Sequence, residues 1–355
     1  MATYKSIKYL VPVEAVEHTD SINALNDVDT VTAAPTDGQT IKWNGTNWVP
    51  SNITEEEASG TQKALFGFGE AADYNVTSVT NLVSSTGVVA SDTTGVGAGR
   101  RSPAAAGFGG DKAIFGFGYE NYEVSNTISL VSNTGVVASD TSSAAGVGNK
   151  AQLAAAGYGG DKAIFGFGNS DGSSITNITN LVSNTGVVAS DTTGVGTARN
   201  ELAGTGYGGD KAIFGFGDTS SSATNTTNLV SNVGVVATDI TAPGGSDRFS
   251  LAACSYGGDK ALFGFGYWSN AVKLVSNTGV VSSNTTGAGT ERRLLAAAGY
   301  GGDKGIFGFG NDDEIDDWQV NITNLVSNTG VVASDTTGVG TARVSLAAAG
   351  YSTTA

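Results

Sequence analysis

Few side chains in this 355-residue chain could carry out nucleophilic, acid–base or metal chemistry. It contains one histidine, His18, and one cysteine, Cys254. A zinc site of Cys and His ligands and an intramolecular disulfide are therefore excluded, and a Ser-His-Asp triad would have to use His18. Acidic residues outnumber basic residues by 33 to 18, which gives a formal net charge of −15. Such a surface repels phosphate backbones, so we expect no nucleic-acid partner.

The densest group of acidic residues spans positions 312 to 317. Asp312, Asp313 and Asp316 could together bind calcium, because hard cations take several oxygen ligands. Their spacing is not that of a known calcium loop, however, and a solvated acidic loop explains the segment as well. We therefore expect neither a metal nor another cofactor.

An internal repeat dominates the rest of the chain. The string G-G-D-K-A-I-F-G-F-G recurs six times with small changes, at intervals of roughly 50 residues. Each copy is followed by a variable segment, N-L-V-S-N-T-G-V-V-A-S-D-T-T-G-V-G, a basic residue and L-A-A-A-G-Y. In the third unit this pattern predicts four strands: A over 153–158, B over 162–168, C over 179–184 and D over 186–191. Units of this length with four strands each are typical of β-propeller blades.

Strand alternation predicts how the units pack together. In the B strand, Phe165 and Phe167 should lie on one face and Gly166 on the other. The rings of one unit could then fill the gaps beside the glycines of the next. The A strands are nearly all small residues, which suits strands that crowd around a central axis. Cys254 replaces one of these alanines, and we expect it to be a buried, inert residue.

One basic residue precedes each A strand: Arg100, Lys150, Arg199, Arg248, Arg292 and Arg343. The same position in every unit indicates a structural role rather than a catalytic one. We expect each basic residue to pair with a carbonyl or an acid of a neighbouring unit. The acids available in the D strands are Asp92, Asp140, Asp191, Asp239 and Asp335.

The order of these elements over residues 59–351 resembles the kelch repeat of β-propellers. In one unit the match is carried by Arg199, Leu202-Ala203, Gly208-Gly209 and Ile213 to Gly217. Kelch blades usually carry a Trp near the D strand, where this chain has small residues such as Gly186. The resemblance implies an all-β fold, a six-bladed propeller of four-stranded kelch-like blades, and it implies no activity. The unpaired C-terminal copy of the A strand, Leu346–Tyr351, should complete the first blade.

Residues 1–58 lack the repeat and form a separate predicted segment, with the propeller over 59–355. Trp43 and Trp48 flank an Asn44-Gly45 turn signal, which predicts a β-hairpin. The chain shows no apolar run long enough for a signal peptide or a membrane span, so we expect no membrane insertion.

The N-terminal segment also resembles known proteins. Residues 25–30 and 35–50 are similar to a stretch of tail-fibre and other virion proteins of tailed bacteriophages. The opening M-A-T-Y-K-S-I-K-Y and the N-L-V-S-N-T-G-V-V-A-S-D-T core resemble structural and propeller proteins of phages of marine cyanobacteria. This resemblance implies a virion protein assembled in the host cytoplasm. Residues 1–58 would bind other virion proteins or self-associate, for example as a trimer.

Loop topology indicates where such a protein would bind a ligand. In a four-stranded antiparallel blade, the AB and CD turns lie on one face and the BC and DA loops on the other. The AB turns hardly vary between units. The BC loops vary in length and in residue content, and they carry several Tyr and Trp residues. Our candidate ligand-binding residues are Tyr119, Tyr122, Tyr267, Trp268 and Trp318.

The resulting hypothesis is a phage virion structural protein, not an enzyme, whose BC/DA face recognises a glycan or protein of the host surface. Two alternatives remain open. One is a virion-associated glycan-degrading enzyme, which would need convergent carboxylates. The other is a purely structural decoration protein without a ligand, in which the BC loop sequences vary because no function constrains them.

Overall fold

The structure, a computed structural model, describes Val28 and residues 39–43, 46–52, 62–171, 173–245, 247–267, 269–312 and 319–352. The chain divides into two units, Met1–Ala58 and Ser59–Ala355. Strands, turns and irregular segments make up nearly all described residues, whose one helix is a 3-10 turn at Ala72–Tyr74. The all-β prediction is confirmed. Within the same residues, no helix has the length and apolar character needed to cross a membrane.

The described part of the first unit is a hairpin. Its strands, Gln39–Trp43 and Trp48–Asn52, are antiparallel, and Trp43 pairs with Trp48 across the turn. The predicted hairpin is therefore confirmed. The rest of residues 1–58, apart from Val28, lies outside the described residues, so attachment to other virion proteins and trimer formation stay predictions.

Six antiparallel sheets, numbered 1 to 6 by their B strands, form the second unit, and the B strand is central in each. The A strands are Ala347–Ser352 in sheet 1, then Ala104–Phe108, Ala154–Tyr158, Ala203–Tyr207, Ala252–Tyr256 and Ala296–Tyr300. The B strands are Gln62–Gly67, Lys112–Gly116, Lys162–Gly166, Lys211–Gly215, Lys260–Gly264 and Lys304–Gly308. The C strands are Thr80–Val83, Thr127–Val131, Thr179–Val182, Thr226–Val230, Val272–Val275 and Thr323–Val326.

Sheet 1 joins the two ends of the repeat region. Its B strand pairs along its whole length with the C-terminal A strand, and Leu65 lies opposite Ala349. This is the pairing predicted from the unpaired copy at residues 346–351. The A strands of successive sheets also contact one another in a closed order, because the A strand of sheet 1 touches those of both sheet 2 and sheet 6.

The fourth strand of each unit is more irregular than the sequence predicts. Only sheets 2 and 4 have a short regular D strand, at Thr141–Ser142 and Ile240–Thr241. In sheet 3 the D segment meets the C strand through isolated bridges at Val188 and Thr192. Between these bridges, the Asn180 side-chain amide donates to Ala189 O and to Asp191. A side chain therefore takes part of the role that a regular backbone ladder would have.

Further two-residue strands lie at the ends of the sheets where the B and C strands are joined. They are Glu70–Ala71, Asn75–Val76, Tyr119–Glu120, Glu123–Val124, Lys150–Ala151, Asn169–Ser170, Ser174–Ile175, Arg292–Arg293 and Asn311–Asp312.

The two phenylalanines of each F-G-F motif point to opposite neighbours, so the predicted common face is wrong. In sheet 3 the regular strand ends at Gly166, and Phe167 has a φ of 65°. This left-handed residue breaks the alternation and turns its ring towards sheet 4. Phe167 contacts Phe214 there at a centroid distance of 5.4 Å, while Phe165 contacts Phe117 of sheet 2 at 5.0 Å.

The same ring pair recurs at every junction between sheets, with centroid distances of 4.9 to 5.4 Å. The prediction that rings fill the gaps beside glycines is confirmed. A Cβ built on Gly166 would lie 3.2 Å from Phe214 Cζ, and one built on Gly215 would lie 2.7 Å from Phe263 Cζ. All twelve rings of these motifs are fully buried. Each buried ring contributes about 1.5–3 kcal/mol, which offsets the cost of the left-handed backbone, about 1–2 kcal/mol.

The six basic residues before the A strands lie buried between sheets, as the structural interpretation predicts. Lys150 forms a 2.6 Å ion pair with Asp191, and Arg343 lies 3.7 Å from Asp92. Arg199 donates to Phe216 O and to Asn228, while its guanidinium covers the Phe167 ring of the preceding sheet.

Burial disfavours the charged form of these groups. It lowers the pKa of Arg199, Arg292 and Arg343 to about 10, against the opposing effect of nearby carboxylates. At that pKa they stay charged at neutral pH and hold adjacent sheets together.

The junction between sheets 4 and 5 departs from this pattern. Asn284 stands where the other D segments have an aspartate, and Lys273 stands where the other C strands have asparagine or serine. Arg248 donates to Ala271 O and to Asn284, and the fully buried Lys273 donates to Pro243 O. Burial and the nearby Arg248 both lower the pKa of Lys273. This junction therefore satisfies two cations mainly with carbonyl oxygens.

Cys254 is buried in the A strand of sheet 5, as expected. Burial raises the pKa of its thiol to about 12, so the unreactive thiol form prevails at neutral pH. Its sulfur is accommodated because the facing residue of sheet 6 is Gly305, where the other B strands have alanine.

Candidate functional site

The two ends of the sheets differ in how strictly they follow the repeat. The AB/CD end carries the G-G-D-K turns, in which each described lysine of sheets 2 to 6 pairs with the preceding aspartate at 2.6 to 2.9 Å. A cavity of about 230 Å³ opens there, lined by four of these lysines: Lys112, Lys162, Lys211 and Lys260. The cations are thus balanced by adjacent carboxylates, and the turns of sheets 2 to 6 offer the same groups.

The BC/DA end varies at three positions per unit. After the last glycine of the F-G-F-G motifs come Glu70, Tyr119, Asn169, Asp218, Tyr267 and Asn311. After the buried basic residues come Arg101, Ala151, Asn200, Phe249, Arg293 and Val344. The next positions hold Ser102, Gln152, Glu201, Ser250, Leu294 and Ser345. Backbone pairing places the first two sets side by side, for example Arg101 opposite Tyr119 and Asn200 opposite Asp218.

The third set forms a closed ring, which we call the rim: Ser102, Gln152, Glu201, Ser250, Leu294 and Ser345. All six residues have φ between 50° and 55°. Each donates its backbone N–H to the carbonyl of the preceding rim residue at 2.7 to 3.2 Å, and Ser102 donates to Ser345. The backbone N–H groups of the rim are therefore paired with carbonyls of the rim itself. Because these bonds do not involve side chains, the side chains can differ from unit to unit.

Next to the rim, one proline and five leucines form an apolar collar: Pro103, Leu153, Leu202, Leu251, Leu295 and Leu346. Rim and collar together line an open cavity of about 70 Å³. Each collar residue follows a rim residue and precedes an A strand, and all six are buried. The collar therefore lies between the variable rim and the repeated sheet core.

One side of the rim carries a continuous polar network. Gln152 donates to Glu201 at 2.6 Å, and the Ser250 hydroxyl donates to the other oxygen of the same carboxylate. Asn169 donates to Gln152 at 2.5 Å, and Asn200 donates to Asn169 at 3.0 Å. Burial raises the pKa of Glu201, although the donors Ser250 and Gln152 oppose this effect.

Two of the predicted binding residues, Tyr119 and Tyr122, are brought together by Arg101. The guanidinium lies 5.1 Å from the Tyr119 ring centre and 5.7 Å from that of Tyr122, and it pairs with Glu70 at 3.4 Å. Tyr119 is partly buried and its hydroxyl lies 3.4 Å from Gln152 of the rim network. Tyr122 is 71% exposed, so it offers the larger free surface.

Tyr267 belongs to a second aromatic cluster. It stacks on Phe249 with a centroid distance of 4.7 Å, and Arg293 lies 5.1 Å from its ring centre. The ring faces of Tyr267 therefore already have partners within the protein, and its exposed edge is what a ligand could reach. Trp268 and Trp318 lie outside the described residues.

The acidic segment is described only at its first member. Asp312 lies in a short strand opposite Arg292 and is 2% exposed, so this residue does not belong to a solvated loop. Asp313 and Asp316 lie outside the described residues. In the part of the chain that the structure describes, no three His, Cys, Asp or Glu residues group as a metal site would require.

The rim residues and the two arginines were missed by sequence reasoning. Arg101, Gln152, Glu201 and Arg293 follow the buried basic residues, and the predicted site drew only on BC-loop aromatics. Aligning the six units position by position would have revealed them, because these are the places where strict repetition ends.

Comparison with known proteins adds no assignment. No protein-family model matches the chain, and the curated proteins compared with it give no match.

Proposed function

We propose that residues 59–355 form a six-bladed β-propeller closed by the C-terminal strand. Three independent features support it: the closed order of A-strand contacts, the rim of backbone hydrogen bonds, and the ring contact between Phe309 and Phe66. Each returns from sheet 6 to sheet 1, as a closed disc of blades requires.

We propose further that the protein is a structural component of a tailed-phage virion and that its BC/DA end recognises the host surface. The observation that carries this proposal is the contrast between the AB/CD end, where sheets 2 to 6 repeat the same G-G-D-K turn, and the BC/DA end, where equivalent positions hold chemically different side chains. Recognition needs individual groups, which only the second end provides. Neutral glycans or proteins suit an acidic chain better than anionic polymers do.

Adsorption to host cells tests the proposal. The test variant replaces Tyr119, Tyr122, Tyr267, Trp268 and Trp318 with alanine. The matched control replaces three lysines of the AB turns, Lys112, Lys162 and Lys211, with alanine. We expect the aromatic variant to lose adsorption while remaining folded, with a melting temperature lowered by the lost contacts of Tyr119 and Tyr267, and the lysine variant to retain adsorption. The opposite result would place recognition on the AB/CD end.

Two further readouts address the alternatives. Release of reducing sugars from host polysaccharide would identify a glycan-degrading enzyme. Absence of adsorption by the unmodified protein, together with its presence in the particle, would leave a decoration role.

A further inference from the structure

The cavity at the BC/DA end has two chemically different parts. The collar supplies the buried side chains of one proline and five leucines, and the rim supplies Ser102, Gln152, Glu201, Ser250, Leu294 and Ser345. Its volume of about 70 Å³ corresponds to roughly two to three water molecules. A small apolar group of about three carbon atoms would fill it and displace water from the leucines.

Glu201 is the one ionisable side chain among the described residues that line this cavity. Its two hydrogen-bond donors, Gln152 and Ser250, are both neutral. None of the ion pairs among the described residues includes Glu201, although Arg293 exerts a favourable and Asp218 an unfavourable electrostatic effect on it. The carboxylate is therefore solvated by two neutral groups and keeps lone pairs that can accept further hydrogen bonds.

The rim is also asymmetric around the cavity. Gln152, Glu201 and Ser250 form a polar arc of three consecutive rim residues, whereas Leu294 extends the apolar surface of the collar to the rim itself. A group that bound here would meet a negative charge on one side and hydrocarbon on the other.

We propose that this cavity binds an ammonium group carried on a short hydrocarbon chain, with the chain in the collar and the ammonium on Glu201. An ammonium offers three donors and a positive charge, which together compensate a carboxylate better than a hydroxyl does. An anionic head group would meet Glu201 and a chain of net charge −15, both of which repel it. The inference concerns the cavity alone and does not rest on a role in host recognition.

Protonation of Glu201 should control this binding. Burial raises the pKa of Glu201, and the charged groups that act on it are Asp218, which raises it further, and Arg293, which lowers it. A bound cation favours the ionised form, so binding should strengthen as pH rises through the pKa of Glu201 and weaken below it.

Calorimetric titration of the full chain with n-propylammonium, 1-propanol and propionate tests the proposal. We expect n-propylammonium to bind at least tenfold more tightly than 1-propanol, and propionate to bind more weakly than either. In Glu201→Gln the preference for the cation should disappear while the affinity for 1-propanol remains. Ser345→Ala, a rim change outside the polar arc, serves as the control and should keep the preference.

A second variant keeps the proposal falsifiable if Glu201→Gln does not fold. Ser345→Glu adds a carboxylate across the rim without removing a donor from Glu201, and it should increase the preference for n-propylammonium. The proposal is overturned if the unmodified protein binds none of the probes, binds the alcohol as tightly as the cation, or shows a preference that Ser345→Glu does not increase.

Discussion

The junctions between sheets and the BC/DA end are built from the same repeat, yet they differ in how much they vary. Each junction has a Phe pair and a buried cation, and most also share the acceptor groups around it. At the BC/DA end, equivalent positions hold groups as different as Glu201 and Leu294. The difference shows that the repeat is kept where a neighbouring sheet fixes the side chain and is lost where the main chain satisfies itself.

The junction of sheets 4 and 5 shows how far a junction can change. In sheet 5, Asn284 replaces the usual aspartate of the D segment, and Lys273 replaces the usual asparagine of the C strand. The Lys273 ammonium donates to Pro243 O. In the other sheets the aspartate accepts from the preceding loop, as Asp239 does from Thr197 N at 3.0 Å. A hydrogen bond between the sheet and the preceding loop is therefore kept, but it starts from the C strand, reaches a different loop residue and has the sheet side chain as donor.

The largest effect should follow from breaking the ring of sheets. Deletion of residues 344–355 removes the buried Val344, Leu346 and Tyr351, each worth about 1.5–3 kcal/mol, together with a whole A strand. We expect the melting temperature to fall by more than about 10 °C in calorimetry. Deletion of residues 353–355 alone is the control, and an unchanged melting curve after the longer deletion would refute closure by this strand.

A smaller loss should result from Asp191→Asn, which leaves the buried Lys150 without its carboxylate. We expect a loss of about 1–2 kcal/mol in urea unfolding at pH 7, because Lys150 is buried and loses its partner charge, while the partly exposed Asp191 limits the loss. Asp161→Asn breaks the exposed pair with Lys162 and should leave the free energy of unfolding almost unchanged, because solvent screens this pair. Equal losses in the two variants would contradict the structural role of the buried cation.

The same pair predicts a pH dependence. Burial alone would raise the pKa of Asp191, but hydrogen bonds from Asn180 and Lys150 outweigh it, so the folded-state pKa is lowered. The stabilisation is then present above the unfolded-state pKa, near 4, and is lost as pH falls through the lower folded-state value. The free energy of unfolding should therefore fall more steeply below about pH 4 in the unmodified protein than in Asp191→Asn.

The packing of rings beside glycines should be sensitive to a single methyl group. In Gly215→Ala the new Cβ would lie 2.7 Å from Phe263 Cζ, which costs about 1–3 kcal/mol. Gly157→Ala is the matched control, because its nearest neighbour would be Gly107 O at an ordinary 3.4 Å. Chemical denaturation of both variants measures the difference, and equal stabilities would show that the ring can move without cost.

Gly305→Ala should cost about 1–2 kcal/mol, because its Cβ would lie 2.5 Å from Cys254 Sγ. Adding Cys254→Ala should restore most of this loss, since the double variant recreates an Ala–Ala pair like Ala156 and Ala212. A double-mutant cycle measures this coupling. Strictly additive effects would mean that the two residues do not share their space.

The smallest effect is expected at the variable end. Tyr122 is exposed, so Tyr122→Ala should change the free energy of unfolding by no more than about 0.5 kcal/mol. Urea denaturation checks this value. A loss as large as that of Gly215→Ala would place Tyr122 among the packing residues and weaken its assignment to recognition.

The sequence by itself determined the repeat, the A, B and C strands, the pairing of the C-terminal strand with the first B strand, and the structural role of the six basic residues. These features depend on local alternation and on residues that recur in every unit, such as the basic residue and the F-G-F motif. The burial of Cys254 followed in the same way, because its place in an alanine-rich strand already fixed its surroundings.

Only the tertiary structure decided the rest. Phe167 turns towards sheet 4 because its backbone adopts a left-handed conformation, which strand alternation does not predict. The D segment of sheet 3 meets its C strand through isolated bridges and through the Asn180 side chain, which strand alternation does not predict. The rim forms only when six segments that are distant in sequence meet, because each rim N–H donates to the carbonyl oxygen of the rim residue in the neighbouring unit. Contacts between residues about 50 positions apart therefore place Gln152 next to Glu201 and decide the chemistry of the BC/DA end.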